Sequence, residues 1–166
     1  MSVENGRPDT VAFLLAQLGH RAATQFAEQM ATMDLTPPHA GILRAIGSQP
    51  GLSQQSLSTQ LGLLPSRVVS YVDDLEERGY VERRRNPDDR RLHALFLSAA
   101  GKKALRRIGE LARRHDDGIT AGLNAQQRGD LHALLQILAE EQGLTPHVHP
   151  GFRNLGRSGG RVKPNG

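Results

Sequence analysis

Between Arg78 and Arg91 the chain places six arginines (Arg78, Arg83, Arg84, Arg85, Arg90 and Arg91) against three acids, Glu82, Asp88 and Asp89. A guanidinium sheds water cheaply and donates in a planar fork. It therefore suits phosphates and the narrow groove of a duplex, where negative potential is concentrated. Just upstream lie Ser66, Arg67 and Ser70, two small hydroxyls and a forked donor that can hydrogen-bond to base edges or phosphates. This is the chemistry of holding a polyanion, and bond-making chemistry has no comparable support. The chain has no cysteine, which excludes disulfides, thiolate metal sites and thiol redox sensing by these residues. It shows no Gly-rich phosphate loop and no Ser-His-Asp arrangement, and its serines are accounted for as helix caps or surface groups. An enzyme, and a bound cofactor, are not expected.

The elements that must carry these residues follow from periodicity and punctuation. Asp9 can cap a first, long helix with Val11, Leu14, Leu15, Leu18, Ala22, Phe26, Met30 and Met33 on one face, ended by Asp34-Leu35. Thr36 caps a second helix with Pro37 in its first turn, and Gln49-Pro50-Gly51 forms a turn. Ser53 opens a short third helix stopped by Gly62, and Pro65 starts a fourth that runs to about Arg78 before Gly79. On a helical wheel Ser66, Arg67, Ser70 and Asp74 lie opposite Val68, Val72 and Leu75. Tyr80–Arg85 and Leu92–Leu97 read as two strands joined by Asn86-Pro87-Asp88-Asp89, a turn with a basic tip. Ser98 caps a fifth helix. Asn124 caps a sixth, with Gln127 at the capping-box position.

Two short helices joined by a tight turn and followed by a basic hairpin form a winged helix-turn-helix, whose second helix enters the major groove N-terminus first. The fold expected is thus mainly α with a small β-hairpin wing. The expected organisation is a flexible N-terminus over 1–8, dimerisation helices over 9–35 and 98–142, a winged lobe over 36–97 and a disordered basic tail over 143–166. Net charge adds little. Four of the 21 Lys and Arg lie after Gln142, where there is no acid, so residues 1–142 carry seventeen charges of each sign. Local placement carries the argument instead. The chain shows no basic leader followed by an apolar run and no apolar stretch near 18 residues, so a cytoplasmic location is expected.

The order and spacing of Leu52-Ser53-Gln54-Gln55-Ser56-Leu57, Leu61-Gly62-Leu63, Pro65-Ser66-Arg67-Val68-Val69, Leu75-Glu76-Glu77-Arg78-Gly79-Tyr80-Val81-Glu82-Arg83, Asp88-Asp89-Arg90-Arg91 and Leu97-Ser98-Ala99-Ala100-Gly101 resemble the signature of MarR-type regulators. The resemblance covers roughly residues 10–142, with Ser98 where the family usually has Thr; either residue caps a helix. It implies a homodimer joined by the first, fifth and sixth helices, acting on a pseudo-palindromic operator to repress or activate nearby genes. The DNA-binding residues expected are Ser53, Gln55, Pro65, Ser66, Arg67, Ser70, Arg83, Asp89, Arg90 and Arg91. In this reading Asp89 orients the wing and Arg91 reaches the minor groove or backbone. The resemblance also implies a pocket for a small aromatic or anionic effector, such as a phenolic or benzoate-type compound. It is expected between the first, second and fifth helices, near Leu18, His39, Leu43 and His115.

One alternative is a metal-responsive regulator of the same fold using some of the seven histidines, His20, His39, His93, His115, His132, His147 and His149. Zinc usually requires three or four converging ligands, and no histidine pair shows i,i+4 spacing on a helix. A structural or surface role is therefore the stronger reading. A winged helix used only for protein contacts would need neither the arginine-rich hairpin nor the exposed serines.

Overall fold

Hydroxyl, amide and proline residues set where most of the helices begin. In the computed structural model, which describes residues 10–85, 93–146 and 148, six helices and one hairpin follow in the order α1 (Val11–Ala31), α2 (Pro37–Ser48), α3 (Gln54–Leu61), α4 (Pro65–Glu77), β1 (Val81–Arg85), β2 (His93–Leu97), α5 (Ala99–Ile119) and α6 (Ala125–Glu141). The architecture expected from the sequence is present, with two corrections at α1. Thr10, not Asp9, is the cap, its Oγ1 accepting from the Phe13 amide at 3.2 Å. The helix closes at Ala31, and Asp34 takes a left-handed φ of 55° in the turn that follows.

The winged lobe is built around one apolar cluster. Met30 from α1, Ile42, Leu43 and Ile46 from α2, Leu57 and Leu61 from α3, Val68, Val72 and Leu75 from α4, Val81 and Leu95 from the hairpin and Ile108 from α5 all contribute to it. The third and fourth helices are joined by a turn that closes on itself: Gly62 is left-handed at φ 63°, and the buried Ser58 hydroxyl donates to the Leu63 carbonyl at 2.7 Å. The two strands pair antiparallel from Val81 opposite Leu97 to Arg85 opposite His93. Leu95 also exchanges backbone bonds with the turn before α3, accepting from Gly51 N at 2.8 Å and donating to Leu52 O at 2.9 Å. The base of the wing is thereby tied to the helix-turn-helix.

Among the described residues, apolar side chains continue beyond this cluster and stay exposed. In α1, Val11, Phe13, Leu14, Leu15 and Leu18 are exposed, as are Leu131, Leu134, Leu135, Ile137 and Leu138 of α6. No residue of α6 is buried. The α1 stripe read from the sequence is real, but the lobe covers only its C-terminal part. Val148, within the stretch read as a tail, is half-buried against the apolar cluster. No helix among the described residues is long and apolar enough to cross a membrane.

The junction between wing and α5 has the least room for change. Ser98 Oγ accepts from the Gly101 amide at 2.9 Å and donates to the Gly79 carbonyl at 2.6 Å, and the Ser98 amide donates to Tyr80 O at 3.1 Å. This pulls the first turn of α5 so close to the preceding chain that a Cβ on Gly101 would stand 2.0 Å from Tyr80 O. Backbone cannot retreat from such a clash without moving the helix. Gly101→Ala is expected to cost about 1–3 kcal/mol, the range for overpacking a rigid site, measured as a lowered urea midpoint. Gly118→Ala in the same helix, where a Cβ meets nothing within 4 Å, should leave the midpoint unchanged or raise it.

Candidate nucleic-acid interface

α4 presents two different surfaces. Val68, Val72 and Leu75 are fully buried, which turns Pro65, Ser66, Arg67, Val69 and Ser70 outward over the first two turns. The hydroxyls and the arginine are where the helical wheel placed them. Val69, 42% exposed, is an apolar member of the same row that the sequence reading missed, although the same wheel contains it. On α3, Gln55 is exposed, whereas Ser53 is half-buried and its Oγ accepts from the Ser56 amide at 3.1 Å. Ser53 is thus first a helix cap.

Charged contacts fix α4 along both flanks. On one side Arg83 of β1 is clamped to α4: its guanidinium pairs with both Asp73 and Glu76, and its backbone amide donates to Glu76 Oε1 at 3.3 Å. Burial works against this charge, but the hydrogen bonds and charges of Asp73 and Glu76 outweigh it and raise the guanidinium's pKa. The side chain read as a DNA contact is therefore committed to carboxylates of the recognition helix, a pairing that residue spacing alone did not reveal.

On the other side, Arg78 Nε donates to Asp74 Oδ2 at 2.9 Å and Nη1 to Asp34 Oδ2 at 2.6 Å. These bonds raise the Arg78 pKa further and hold the Asp34 carboxyl below its usual range. His39 completes this flank, with Nε2 3.0 Å from Asp74 Oδ2, out of line for a well-directed N–H bond, and its ring edge-on to Tyr71 at 4.9 Å between centroids. At the wing, Arg84 lies 4.5 Å over the Phe96 ring and pairs with Glu82 at 2.9 Å. Asp89, Arg90 and Arg91 lie outside the described residues.

The expected effector pocket divides. Leu18 and His115 line a groove of about 550 Å³ between α1 and α5, together with Arg21, Gln25, Glu28 and Arg114. Leu43 and His39 are not part of it. Leu43 is fully buried in the apolar cluster, and His39, 6% exposed, turns to α4. The sequence correctly placed an apolar residue and a histidine on α2, but helical spacing does not say which neighbour a side chain faces. Among the described residues no group of three or more His, Cys, Asp or Glu could hold a metal ion.

Comparisons with known proteins bear on the family and the fold. A sequence profile of the MarR family matches residues 33–92. A protein of Thauera aromatica, whose name assigns it to transcriptional regulation of the hcr operon, is 36% identical over 126 residues, covering 75% of this chain and 76% of its own. The chain belongs to the MarR family. It is a DNA-binding transcriptional regulator, and its relatives are regulators and not enzymes. Among solved structures, the transcriptional repressor CouR bound to a 23-mer DNA duplex superposes with a TM-score of 0.70 at 32% identity, over 84% of this chain and 99% of that one. MarR of E. coli in its apo form superposes at 0.71 over 80% of this chain and 98% of that one, and at 20% identity shows the shared fold. In this MarR-family chain the row on α4, with the clamps behind it, is the candidate interface among the described residues.

The Arg83 clamp is a stability element as well as a geometric one. Its partners are about half exposed, with side-chain exposures of 58% for Asp73 and 40% for Glu76, so solvent screens much of the attraction. Arg83→Met is expected to cost about 1 kcal/mol, read as a lower urea midpoint. Arg85→Met, an exposed change one pleat further along the strand, should move the midpoint by less than half as much.

Proposed function

We propose that this regulator acts as a homodimer on a pseudo-palindromic operator, that it represses transcription there, and that a small aromatic or anionic compound releases it. The observation that carries the DNA-reading part is the exposed row Ser66, Arg67, Val69 and Ser70, held on a helix fixed along both flanks. Arg67 offers paired donors to guanine or phosphate, the serines offer single hydrogen bonds, and Val69 offers a methyl surface to thymine. Pro65 starts the helix, so the N-terminal amides of α4 face the same duplex and favour phosphate. Gln55 at the start of α3 reaches backbone phosphate. Asp89, two residues from Arg91 on the wing, holds that arginine in a docking pose, and Arg90 adds charge beside it. The likeness to CouR, a repressor in complex with DNA, supports both the docking mode and the sign of regulation. The effector site favoured is the α1–α5 groove with Leu18 and His115, where Arg21 and Arg114 outnumber the single acid Glu28.

The division of labour follows from the unpartnered apolar residues. Residues 36–97 form the DNA-binding lobe, while 9–35 and 98–142 join the two subunits. The N-terminal part of α1 and the length of α6, with the far end of α5, do this work, while the C-terminal part of α1 and the N-terminal part of α5 pack on the lobe. An amphipathic element with no partner in its own chain finds one in a second copy. Leu134→Glu, at a side chain 59% exposed, leaves the lobe intact. It is expected to yield a monomer near 18.1 kDa by sedimentation at micromolar concentration, where the wild type sediments as a dimer. Wild-type protein that sediments as a monomer overturns the assignment.

Duplexes selected by the full-length protein from a random pool test the DNA reading. The selected pool should contain two related half-sites. Arg67→Ala and Ser70→Ala should each reduce discrimination at one position by about 1–3 kcal/mol. Arg91→Ala should weaken all duplexes alike and lower the salt slope by about one per wing. Recovery of no enriched sequence overturns the reading.

A further inference from the structure

The flank of α4 that contains His39 holds a group no DNA contact requires: a buried imidazole between two helices. We propose that His39 is a positioning residue of the recognition helix, and that its neutral, Nε2-protonated ring is the form that holds α4 in the pose described above. The proposal rests on the DNA-reading assignment only for its consequence. The latch itself is a property of the protein alone.

The ring's proton can be placed from its partners. His39 is the third residue of α2, and the backbone amide of the cap residue Thr36 donates to Nδ1 at 3.1 Å, with Thr36 Oγ1 at 2.9 Å. A backbone amide can only donate, so Nδ1 offers its lone pair and the neutral ring carries its proton on Nε2. That nitrogen lies 3.0 Å from Asp74 Oδ2, a close polar contact off the N–H axis. Asp74 in turn holds Arg78, and Arg78 holds Asp34 in the turn between α1 and α2. One chain of contacts thus runs from Asp34 through Arg78 and Asp74 of α4 to His39 and Thr36 at the start of α2. The Tyr71 ring packs against the imidazole from α4.

A second proton breaks this chain at its α2 end. Protonated Nδ1 is a donor facing another donor, so the Thr36 amide loses its acceptor and the helix loses half of its capping box. The new charge meets Asp74 and Asp34, which favour it, and Arg78, which opposes it. It also lies almost out of solvent, and burial outweighs the rest, holding the ring's pKa below its ordinary 6.5. In a pose with His39 released to water the ring titrates near that ordinary value. Between the two values the released pose binds a proton and the latched pose does not. Acid therefore favours release: the latch is fully present above about pH 7 and is lost progressively as the pH falls below about 6.5.

The fold contains a model for the decisive substitution. At the start of α6, Gln127 holds the same third position and its Oε1 accepts from the Asn124 amide at 3.0 Å. His39→Gln can therefore keep the α2 cap without titrating. Affinity for the selected duplex is measured from pH 7.5 to 5.5 at constant ionic strength. Wild type is expected to lose about three- to tenfold more affinity over this range than the Gln variant, whatever the two affinities are at pH 7.5. Parallel pH profiles overturn the proposal. Nitrogen-15 spectra of the histidine rings in full-length protein without DNA should show His39 with its proton on Nε2 at pH 7.5, and the α4 amides should shift with the His39 midpoint on acidification. A proton on Nδ1, or α4 amides that do not follow the ring, overturns it too, even if the Gln variant fails to fold or no duplex is recovered.

Discussion

α4 is attached to the lobe by three buried side chains, Val68, Val72 and Leu75, and a stripe that narrow lets a helix roll. In the docking proposed above, a roll of this helix would swing Ser66, Arg67 and Ser70 across the width of a groove, so its angle has to be fixed by something directional. The structure supplies directional contacts at both edges of the stripe. Arg83 reaches across from β1 to Asp73 and Glu76, and Arg78 bonds to Asp74 beside the His39 ring. Dispersion and burial keep the helix on the lobe without choosing its orientation, whereas hydrogen-bonded ion pairs contribute modest stability and strong geometry. The wing depends on the same clamp, because Arg83 is itself a residue of the hairpin.

Most of the architecture was legible because local chemistry and long-range packing agree in this chain. Thr36, Ser53, Ser98 and Asn124 are found at the helix starts the sequence marked, and Gly62 and Gly79 are left-handed where the helices stop. The exposed row of α4 followed from a wheel, since burial of one face determines the other. The roles of Arg83 and His39 were not legible. Both are polar residues whose partners lie on another element, and periodicity reports which face a residue occupies without naming what meets it there. Gly101 is a third case. Its presence in the Leu-Ser-x-x-Gly stretch was noted through resemblance, but the reason, a backbone carbonyl at van der Waals conflict with any Cβ, needs the path of the chain from Gly79 to Ser98.

The acids of α4 also acquire a reason. A helix that presents its N-terminus to phosphates carries its negative dipole end at the opposite terminus, where further carboxylates are unfavourable. Asp73, Asp74, Glu76 and Glu77 nevertheless occupy that half, in a protein whose partner is a polyanion. Three of the four are paired: Asp73 and Glu76 with Arg83, and Asp74 with Arg78. Pairing cancels most of their field at the distance of the duplex, so they act as anchors without repelling it. The same arrangement explains why net charge was uninformative. Residues 1–142 carry equal numbers of each sign, yet three of the four acids in the C-terminal half of α4 are held in internal contacts, while Arg67 lies on the exposed side near the other end. Charge in this lobe is sorted by position along one helix, and the sorting holds only while the clamps keep the acidic half facing β1 and α2.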